Sequence, residues 1–232
     1  MRENIKLVKK FEGDRFFRRN FRKIENEKLY IEGSQNILNF FKLNSLKIRN
    51  ILEIGCCSGY QLNKYKNFFE EKFKKSSYTI KCYGLDLSKR AIKYGKKKYS
   101  GLKLYNLSSL QIDKLKKNFD VIICGYFLYL LDRKYLFKQF DLIYKNLKTN
   151  GYLIINDLDP LFTHFNSSAH TKKINSYKMN YSNFLENSNL FKKIYLHKWK
   201  TPSNLNKKFL SSDLSVAVYQ KIEFEKNFPK NV

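Results

Sequence analysis

Short apolar runs that alternate with amphipathic segments are the feature that most constrains the fold of this chain. Each run has the length and the apolar content of a buried strand, and the segments between the runs have the spacing of helices. Strands that are separated by helices pair in parallel and are covered on both faces. The predicted strands are residues 51–54, 78–85, 102–105, 119–124 and 152–155.

The C-terminal part of the chain has a different pattern. Residues 191–199 and 214–222 read as two strands that are joined by a polar loop without a helix. Two such strands pair antiparallel, and they can extend a parallel sheet at its edge. The sequence therefore predicts an α/β fold with a mostly parallel, seven-stranded sheet and an antiparallel C-terminal strand pair.

Length and apolar content indicate one large domain with its own core. The chain has 232 residues, of which 43% are hydrophobic, and this is enough to bury a sizeable core. It contains no run of about 18 apolar residues and no apolar signal core after Met1, so we expect neither a membrane span nor export. The four cysteines show no metal-ligand spacing, which favours free thiols in a cytoplasmic, reducing compartment and no metal site.

The net charge of +26 raises the question of a nucleic-acid partner. Basic proteins attract nucleic acids and acidic membranes. Only 8 of the 46 basic residues are arginine, however, and the chain carries 24 asparagines. Arginine is the usual side chain for recognition of phosphates and bases. This composition favours a solvated basic surface over a nucleic-acid site.

A glycine-bearing turn follows the first predicted strand, at residues 53–59. Such a turn lets backbone N–H groups approach a ligand closely. Its partner is Asp86, which ends the second strand 31 residues after Gly55. A carboxylate in that place can accept hydrogen bonds from both hydroxyls of a ribose, and its alternative role is a helix N-cap.

This turn resembles the first motif of class I S-adenosylmethionine-dependent methyltransferases. The family motif is an acidic residue followed by three alternating glycines. Glu53, Gly55 and Gly59 match it, whereas Cys57 stands in the place of the middle glycine. Because the side chain of cysteine is small, we expect a local adjustment of the turn and retained cofactor binding.

Further segments extend the resemblance over residues 50–157. Asp86 matches the acid that binds ribose in the family, and Ser108 replaces the acid that often contacts adenine. Residues 119–123 and 147–152 match two other family signatures. The resemblance implies a Rossmann-like three-layer sandwich and S-adenosylmethionine as the cofactor. It implies a cofactor site formed by Glu53, Gly55, Cys56, Cys57, Ser58, Gly59, Asp86, Leu87, Leu107, Ser108, Cys124 and Tyr126.

The domain organisation follows from the same pattern. Residues 1–45 are expected to form an N-terminal helical cap, and residues 46–232 are expected to form the methyltransferase domain. Within the domain, residues 156–182 follow the fifth strand, and their weak apolar periodicity predicts a substrate-side loop. The expected acceptor-binding residues are Tyr129, Asp157, Tyr177 and Lys178.

His170 is the candidate general base within this loop, because a neutral imidazole is available near pH 7. The alternative is a solvated loop histidine. Residues 125–133, 157–160 and 176–182 resemble a group of bacterial methyltransferases that is linked with cell-surface sugar biosynthesis, and His170 matches a histidine of that group.

Three functions remain open at this point. The leading one is methylation of a small molecule, such as a sugar or a carrier-linked sugar. The second is methylation of RNA or protein, which the basic charge favours. The third is a non-catalytic cofactor-binding protein, which the replacements at Cys57 and Ser108 favour. The sequence identifies neither the acceptor atom nor the oligomeric state.

Overall fold

The computed structural model describes residues 4–29, 31–44, 46–74, 77–168, 170–200 and 213–223. The helices are α1 (Asn4–Phe11), α2 (Gly13–Arg19), α3 (Phe21–Glu25), α4 (Ile31–Leu43), α5 (Tyr60–Lys72), α6 (Lys89–Lys98), α7 (Leu136–Asn146) and α8 (Tyr181–Asn187). The strands are β1 (Asn50–Ile54), β2 (Lys81–Leu85), β3 (Lys103–Tyr105), β4 (Phe119–Gly125), β5 (Leu147–Leu158), β6 (His164–Ser168), β7 (Thr171–Lys178), β8 (Phe191–Lys200) and β9 (Asp213–Lys221). Short 3-10 helices cover Ser109–Leu115, Leu128–Leu130 and Arg133–Tyr135.

Seven strands form one sheet in the order β3-β2-β1-β4-β5-β9-β8. Strands β1 to β5 pair in parallel, and β9 pairs antiparallel with both β5 and β8. The predicted mixed sheet with its C-terminal antiparallel pair is therefore confirmed. The polar connection expected between the last two strands lies in residues 201–212, outside the described residues. The strand order reverses between β1 and β4, where open α/β sheets form a ligand crevice.

Two apolar cores cover the two faces of the sheet. Ile51 and Ile123 point to one face, where α4, α5 and α6 pack. Leu52 and Ile122 point to the other face, where α7 and α8 pack. A slip of one residue in register would exchange the two sets, and each buried side chain of this size contributes about 1.5–3 kcal/mol. The resulting three layers are those that the sequence predicts.

The N-terminal helix α2 is anchored on the start of α6. Asp14 Oδ1 accepts a hydrogen bond from Ser88 Oγ at 2.7 Å and another from the backbone N of Arg90 at 3.1 Å. Beside these bonds, the rings of Phe17 and Tyr94 pack with centroids 5.6 Å apart. These contacts place α2 next to the carboxyl end of β2.

Among the described helices, none has the length and apolar character that crossing a membrane requires.

Most of the described residues within 156–182 form strands or a helix, so the expectation of a structureless loop is wrong. Strand β5 continues to Leu158, and β6 and β7 then form a two-stranded antiparallel ribbon that is followed by α8. In β6, Phe165 is 67% exposed, whereas Ile174 of β7 is fully buried. The ribbon packs through β7 against α1 and the 3-10 helix 128–130. A ribbon with one exposed strand lacks the periodicity of a core element, which is why the sequence pattern did not reveal it.

The carboxylate of Asp120, in β4, connects the beginning of β1 with the beginning of β5. Its Oδ2 accepts hydrogen bonds from the backbone N of Arg49 at 3.0 Å and of Asn50 at 2.7 Å. Its Oδ1 accepts a bond of 2.7 Å from Lys148 Nζ. One carboxylate therefore joins three strands at the end of the sheet opposite the crevice.

We expect Asp120→Ala to lower the free energy of unfolding by about 1.5–3 kcal/mol, the range for hydrogen bonds to a charged group. Urea denaturation measures this change. Asp141→Ala is the matched control, because Asp141 forms an exposed i,i+4 ion pair with Lys145, and such pairs contribute about 0.3–0.5 kcal/mol. Equal effects of the two substitutions would contradict this role of Asp120.

Candidate active site

A cavity opens at the carboxyl ends of β1, β2, β4 and β5, beneath α1 and α2. This is the place where the strand order reverses, as expected for a ligand site in an open α/β sheet. The described residues that line it come from both the sheet and the N-terminal helices: Ile5, Val8, Glu12, Gly13, Phe16, Leu29, Glu53, Ile54, Gly55, Cys56, Cys57, Tyr60, Gln61, Leu85, Asp86, Leu87, Ser88, Leu107, Ser109, Gly125, Tyr126, Phe127, Tyr129, Leu130, Leu131 and Asn156.

The turn after β1 keeps three left-handed residues although one of them is a cysteine. The φ angles are +79° at Gly55, +53° at Cys57 and +82° at Gly59. A Cβ at Gly55 would lie 2.6 Å from the carbonyl oxygen of Gly125, so this position requires glycine. At Cys57 the left-handed backbone directs the N–H toward Asp86 Oδ2, at 2.8 Å. The turn therefore adopts the left-handed conformation at the position where the sequence motif departs from glycine.

Substitutions of Cys57 should distinguish conformation from side-chain volume. We expect Cys57→Gly to change the free energy of unfolding by less than about 1 kcal/mol, because relief of left-handed strain is offset by the flexibility of unfolded glycine. Cys57→Val should lower it by about 1–3 kcal/mol, since a β-branched residue is strained at positive φ. Thermal and urea unfolding measure both. If valine were tolerated as well as glycine, position 57 would not be left-handed.

Asp86 presents its carboxylate to the cavity and is held by two backbone amides. Oδ2 accepts from the N of Cys57, and Oδ1 accepts from the N of Ser88 at 2.7 Å. Burial raises the pKa of Asp86, and these two hydrogen bonds oppose the shift. Ser88 itself caps α6, because its Oγ accepts a bond from the N of Ala91 at 3.1 Å. The alternative role of Asp86 as the helix N-cap is thereby excluded.

Glu53 lies deeper in the same cavity and is 5% exposed. Within the described part of the chain, its Oε2 is buried without a hydrogen-bond partner. Burial, and next the negative charge of Asp86, raise the pKa of Glu53 to about 8. A hydrogen bond from the backbone N–H of Leu62 opposes this shift, so the Glu53 carboxylate has one described donor although its Oε2 has none.

The stability of the protein should depend on pH through Glu53. A carboxyl group whose pKa is higher in the folded state keeps its proton there, so the free energy of unfolding falls as pH rises from about 4.5 to about 8. One pKa unit corresponds to about 1.4 kcal/mol. In Glu53→Gln, we expect the decrease in the free energy of unfolding from pH 6 to pH 8.5 to be smaller by more than about 1 kcal/mol. Urea unfolding at the two pH values measures this difference.

The control for this measurement is Glu71→Gln, because the Glu71 side chain is 77% exposed. The Glu71 variant should keep the pH dependence of the unsubstituted protein. A pH dependence that is unchanged in Glu53→Gln would show that Glu53 ionises normally.

Most of the cofactor-binding residues expected from the sequence line the cavity. Those that do are Glu53, Gly55, Cys56, Cys57, Asp86, Leu87, Leu107 and Tyr126. Tyr126 directly follows β4 with a φ of +50°, and its N donates to the backbone O of Asn156 at 2.9 Å. The carboxyl ends of β1, β2 and β4 thus bring these residues together.

Four expected cofactor-binding residues lie outside the described lining, and the structure gives each a different place. Ser58 is fully buried beneath the turn, and Gly59 is the N-cap of α5. Ser108 caps the following 3-10 helix, and the adjacent Ser109 lines the cavity in its stead. Cys124 points into the core on the other face of the sheet. Each of the four is adjacent in the chain to a residue that lines the cavity.

Asp157 forms structural hydrogen bonds in the interior of the protein and is not among the described residues that line the cavity. Its carboxylate accepts hydrogen bonds from the N of Leu128 at 3.0 Å and the N of Leu158 at 2.7 Å. Burial raises the pKa of Asp157 to about 7 although these bonds oppose the shift. Asp157 therefore fixes the 3-10 helix 128–130, whose Tyr129 does line the cavity as expected.

The other acceptor-side residues expected from the sequence lie on the ribbon, outside the described lining. His170 is exposed at the turn between β6 and β7, so its imidazole faces solvent and not the cavity. The ring of Tyr177 packs against the guanidinium of Arg133 at 4.9 Å. Lys178 is 4% exposed, and burial lowers its pKa. The structure therefore does not support His170 as the base, because regular pairing of the ribbon carries it away from the crevice.

Sequence reasoning missed the buried polar residues Glu12, Gln61 and Asn156, which all line the cavity. Glu12 forms an ion pair with Arg19, and Gln61 Nε2 donates to the carbonyl of Leu29 at 3.0 Å. Asn156 was detectable, because an amide that directly follows an apolar strand run is an unusual end for a buried strand.

The charge of the cavity is opposite to that of the whole chain. None of the described lining residues is Lys, Arg or His, whereas three of them, Glu12, Glu53 and Asp86, are acidic. The 46 basic residues of the chain therefore do not converge on the described part of the cavity. The described residues also contain no group of three or more His, Cys, Asp or Glu side chains that could hold a metal ion.

The strand order, the left-handed turn and the acid after β2 together define the fold of a class I S-adenosylmethionine-dependent methyltransferase. A family model described as "Methyltransferase domain" matches residues 47–209. The chain belongs to this methyltransferase family.

One curated relative, the uncharacterized protein RP028 of Rickettsia prowazekii (strain Madrid E), is 33% identical over 129 residues. The match covers 53% of this chain and 48% of that protein. The chain thus matches about half the length of this curated relative.

Solved methyltransferases share the fold at low sequence identity. The N-methyltransferase NodS from Bradyrhizobium japonicum WM9, in complex with S-adenosyl-L-homocysteine, is 19% identical with a TM-score of 0.57, over 83% of this chain and 87% of that one. The 1,6-didemethyltoxoflavin-N1-methyltransferase of Burkholderia thailandensis is 10% identical with a TM-score of 0.68, over 96% and 92%. The magnesium protoporphyrin IX methyltransferase of Synechocystis PCC 6803 is 11% identical with a TM-score of 0.65, over 96% and 99%.

Proposed function

We propose that this protein transfers a methyl group from S-adenosylmethionine to a small-molecule acceptor. The observation that carries the proposal is the pair formed by the left-handed turn after β1 and the amide-held carboxylate of Asp86. When bound, S-adenosylmethionine supplies an electrophilic methyl group on a sulfonium. The residues fit such a cofactor, because the cavity offers acceptors for hydroxyl and ammonium donors and carries no described cation that would repel the sulfonium.

Each part of the cofactor has a suitable partner in this proposal. Asp86 accepts hydrogen bonds from the ribose hydroxyls, and Leu87, Leu107 and Ser109 flank the adenine. The backbone of residues 55–57 and the carboxylate of Glu53 face the methionine end, where Glu53 Oε2 is buried without a described partner. A positively charged ammonium nearby would stabilise the ionised form of Glu53.

The acceptor side of the cavity suits a small, largely apolar or aromatic molecule. It is lined by Val8 and Phe16 of the N-terminal helices and by Tyr126, Phe127 and Tyr129 after β4. Sites for drug-sized ligands have this composition, with a few polar groups for orientation. Two of the structural relatives are named for small-molecule acceptors, 1,6-didemethyltoxoflavin and magnesium protoporphyrin IX.

The described lining contains no basic side chain, and this argues against acceptors that carry phosphate groups. A carrier-linked sugar with phosphate groups, or an RNA, would need cationic partners near the methyl group, so we favour an acceptor without phosphate. An uncharged sugar stays compatible with the oxygen atoms of the lining.

The division into a cap at 1–45 and a methyltransferase domain at 46–232 is part of the proposal, and the cavity lining by α1 and α2 supports it. The four free cysteines support a reducing, cytoplasmic compartment.

The proposal is tested by calorimetry with S-adenosylhomocysteine. We expect binding that weakens by about 1.5–3 kcal/mol in Asp86→Asn, because the charged acceptor for the ribose hydroxyls is lost. Asp141→Asn, a change on the exposed surface of α7, should bind like the unsubstituted protein. If the protein shows neither heat nor a thermal shift at millimolar ligand, the proposed cofactor is wrong. Binding without methyl transfer to any acceptor pool would indicate a non-catalytic protein.

A further inference from the structure

We propose that the ribbon of β6 and β7, together with α1, forms a docking surface for an anionic lipid bilayer. The contact is peripheral, with apolar side chains at the lipid–water interface and lysines at the head groups. This surface lies outside the described cavity lining, so the inference is independent of the proposed methyltransferase function. Its basis is a group of exposed apolar side chains that is bordered by lysines and by no acidic residue.

Three large apolar side chains are exposed in a short stretch at the beginning of the ribbon. Leu161 is 90% exposed, Phe162 is 62% exposed and Phe165 is 67% exposed. All three lie within residues 161–165, so at most about 14 Å of extended chain separates their Cα atoms. Single exposed apolar side chains are ordinary, whereas a group of them indicates a surface that contacts a partner.

The register of the ribbon places a lysine on the same face as Phe165. Phe165 pairs with Tyr177, and the centroids of their rings are 6.0 Å apart. Because side chains alternate along β7, Lys173 shares the face of Tyr177, about 13 Å away at about 3.3 Å per residue. The same alternation directs Ile174 into the interior, where it is fully buried. One face of β7 therefore packs on the protein, and the opposite face carries the exposed Lys173.

Helix α1 extends the basic part of this surface. The ring of Phe11 contacts two cations, Lys10 of α1 and Lys173 of β7, whose Nζ atoms lie 5.3 and 4.8 Å from its centroid. Their neighbours in the chain, Lys9 and Lys172, are also exposed. Tertiary packing thus brings lysines from two distant segments together beside the ribbon.

The segments that form this surface contain no acidic side chain. Neither Asp nor Glu occurs in α1 or in residues 160–180. The acid that follows α1, Glu12, and the acid that precedes residue 160, Asp159, are buried and paired with Arg19 and Lys198. Within these segments the positive charge is therefore not neutralised. A negatively charged partner is complementary to such a surface, and each lysine near an anionic membrane strengthens binding by about 5-fold.

A lipid bilayer fits this surface better than a second copy of the chain does. The three apolar side chains expose on the order of 400 Å² in total, given about 150–250 Å² for a whole side chain of this size. A stable protein interface needs about 800 Å² on each partner. A second copy would also bring another +26 of net charge to the contact.

The side chains also fit a bilayer better than a nucleic acid. Proteins that bind single strands combine stacking aromatic rings with cationic grooves, and arginine is the favoured phosphate-binding side chain. Here the most exposed apolar side chain is the aliphatic Leu161, and the cations beside the ribbon are lysines. Leucine and phenylalanine next to lysines are the combination that binds at a lipid–water interface.

The docking surface and the cavity share structural elements. The ribbon packs through β7 on α1 and on the 3-10 helix 128–130. Both contribute to the described cavity lining, for example through Val8 and Tyr129. Docking therefore brings the cavity close to the lipid surface, where apolar molecules concentrate.

The first test is sedimentation with vesicles of equal parts phosphatidylglycerol and phosphatidylcholine, and with vesicles of phosphatidylcholine alone. We expect at least about 10-fold tighter binding to the anionic vesicles, a ratio that corresponds to about 1.4 kcal/mol. Leu161→Ser combined with Phe162→Ser should weaken that binding by at least about the same factor.

The matched control is Leu43→Ser combined with Phe137→Ser. These two side chains are 77% and 74% exposed, on α4 and α7. This variant should keep the affinity for anionic vesicles within about 3-fold, a difference of about 0.7 kcal/mol. Unchanged midpoints of thermal unfolding report that both double variants are folded.

Charge variants separate the position of the lysines from their number. Lys172→Gln combined with Lys173→Gln should weaken binding to anionic vesicles by about 5-fold for each lysine. Lys96→Gln combined with Lys97→Gln, on the exposed side of α6, changes the net charge by the same amount. We expect this second pair to weaken binding by less than about 3-fold, a difference of about 0.7 kcal/mol.

A measurement of insertion distinguishes docking from nonspecific adsorption of a basic protein. The single tryptophan of the chain is removed by Trp199→Phe, and a new one is introduced by Phe162→Trp or, as the control, by Phe137→Trp. Lipids that are brominated on their acyl chains should quench the fluorescence of the Phe162→Trp protein. They should leave the fluorescence of the Phe137→Trp protein unchanged.

Several results would overturn the inference. These are equal binding to neutral and anionic vesicles, equal losses in the Leu161 and Leu43 double variants, or no quenching in Phe162→Trp. A dimer that the Leu161 double variant dissociates, without vesicle binding, would assign the surface to a second copy. Binding of single-stranded RNA that the same variant weakens, without vesicle binding, would assign it to a nucleic acid. None of these measurements involves S-adenosylhomocysteine, so this inference and the proposed function fail separately.

Discussion

The hydrogen bond from the backbone N–H of Cys57 to the carboxylate of Asp86 is the interaction on which the site depends. It joins the turns that follow two adjacent parallel strands, β1 and β2, and the second oxygen of Asp86 is held by the N–H of Ser88. The left-handed backbone at Cys57 is what directs this N–H to the acid. Burial, and next the negative charge of the same carboxylate, raise the pKa of Glu53, so Asp86 takes part in both the geometry of the turn and the electrostatics of the cavity.

The distribution of charge separates the surface of the protein from its cavity. The chain carries a net charge of +26, yet the described lining is acidic and contains no basic side chain. Lysines that lie on the surface are well solvated and cost little, whereas buried carboxylates such as Glu53 require a ligand donor or a proton. The basic composition therefore gives little information about the molecule that is methylated. The buried oxygen atoms of the cavity that lack a donor among the described residues give more.

Prediction from the sequence succeeded where a pattern is local. The apolar run at 51–54, the acid at Asp86 and the helix that Ser88 caps are each determined by a few neighbouring residues. It failed for the ribbon of β6 and β7, because one of its strands is exposed and the other packs on distant helices. The role of Asp157 was missed for a related reason, since its main hydrogen-bond donor across the chain, the N–H of Leu128, lies 29 residues away.

The sequence by itself determined the alternation of strands and helices from β1 to β5, the antiparallel C-terminal pair, the family of the fold and the two carboxylates, Glu53 and Asp86, that line the cavity. These follow from apolar periodicity and from a motif within one turn, which depend on short-range geometry. Only the tertiary structure decided which polar groups share the cavity. Asn156 and Glu53 are about 100 residues apart in the chain, and their meeting depends on the pairing of β1 with β4 and of β4 with β5. His170 lies outside the described lining, because it stands at the exposed turn where Ser168 of β6 pairs with Thr171 of β7.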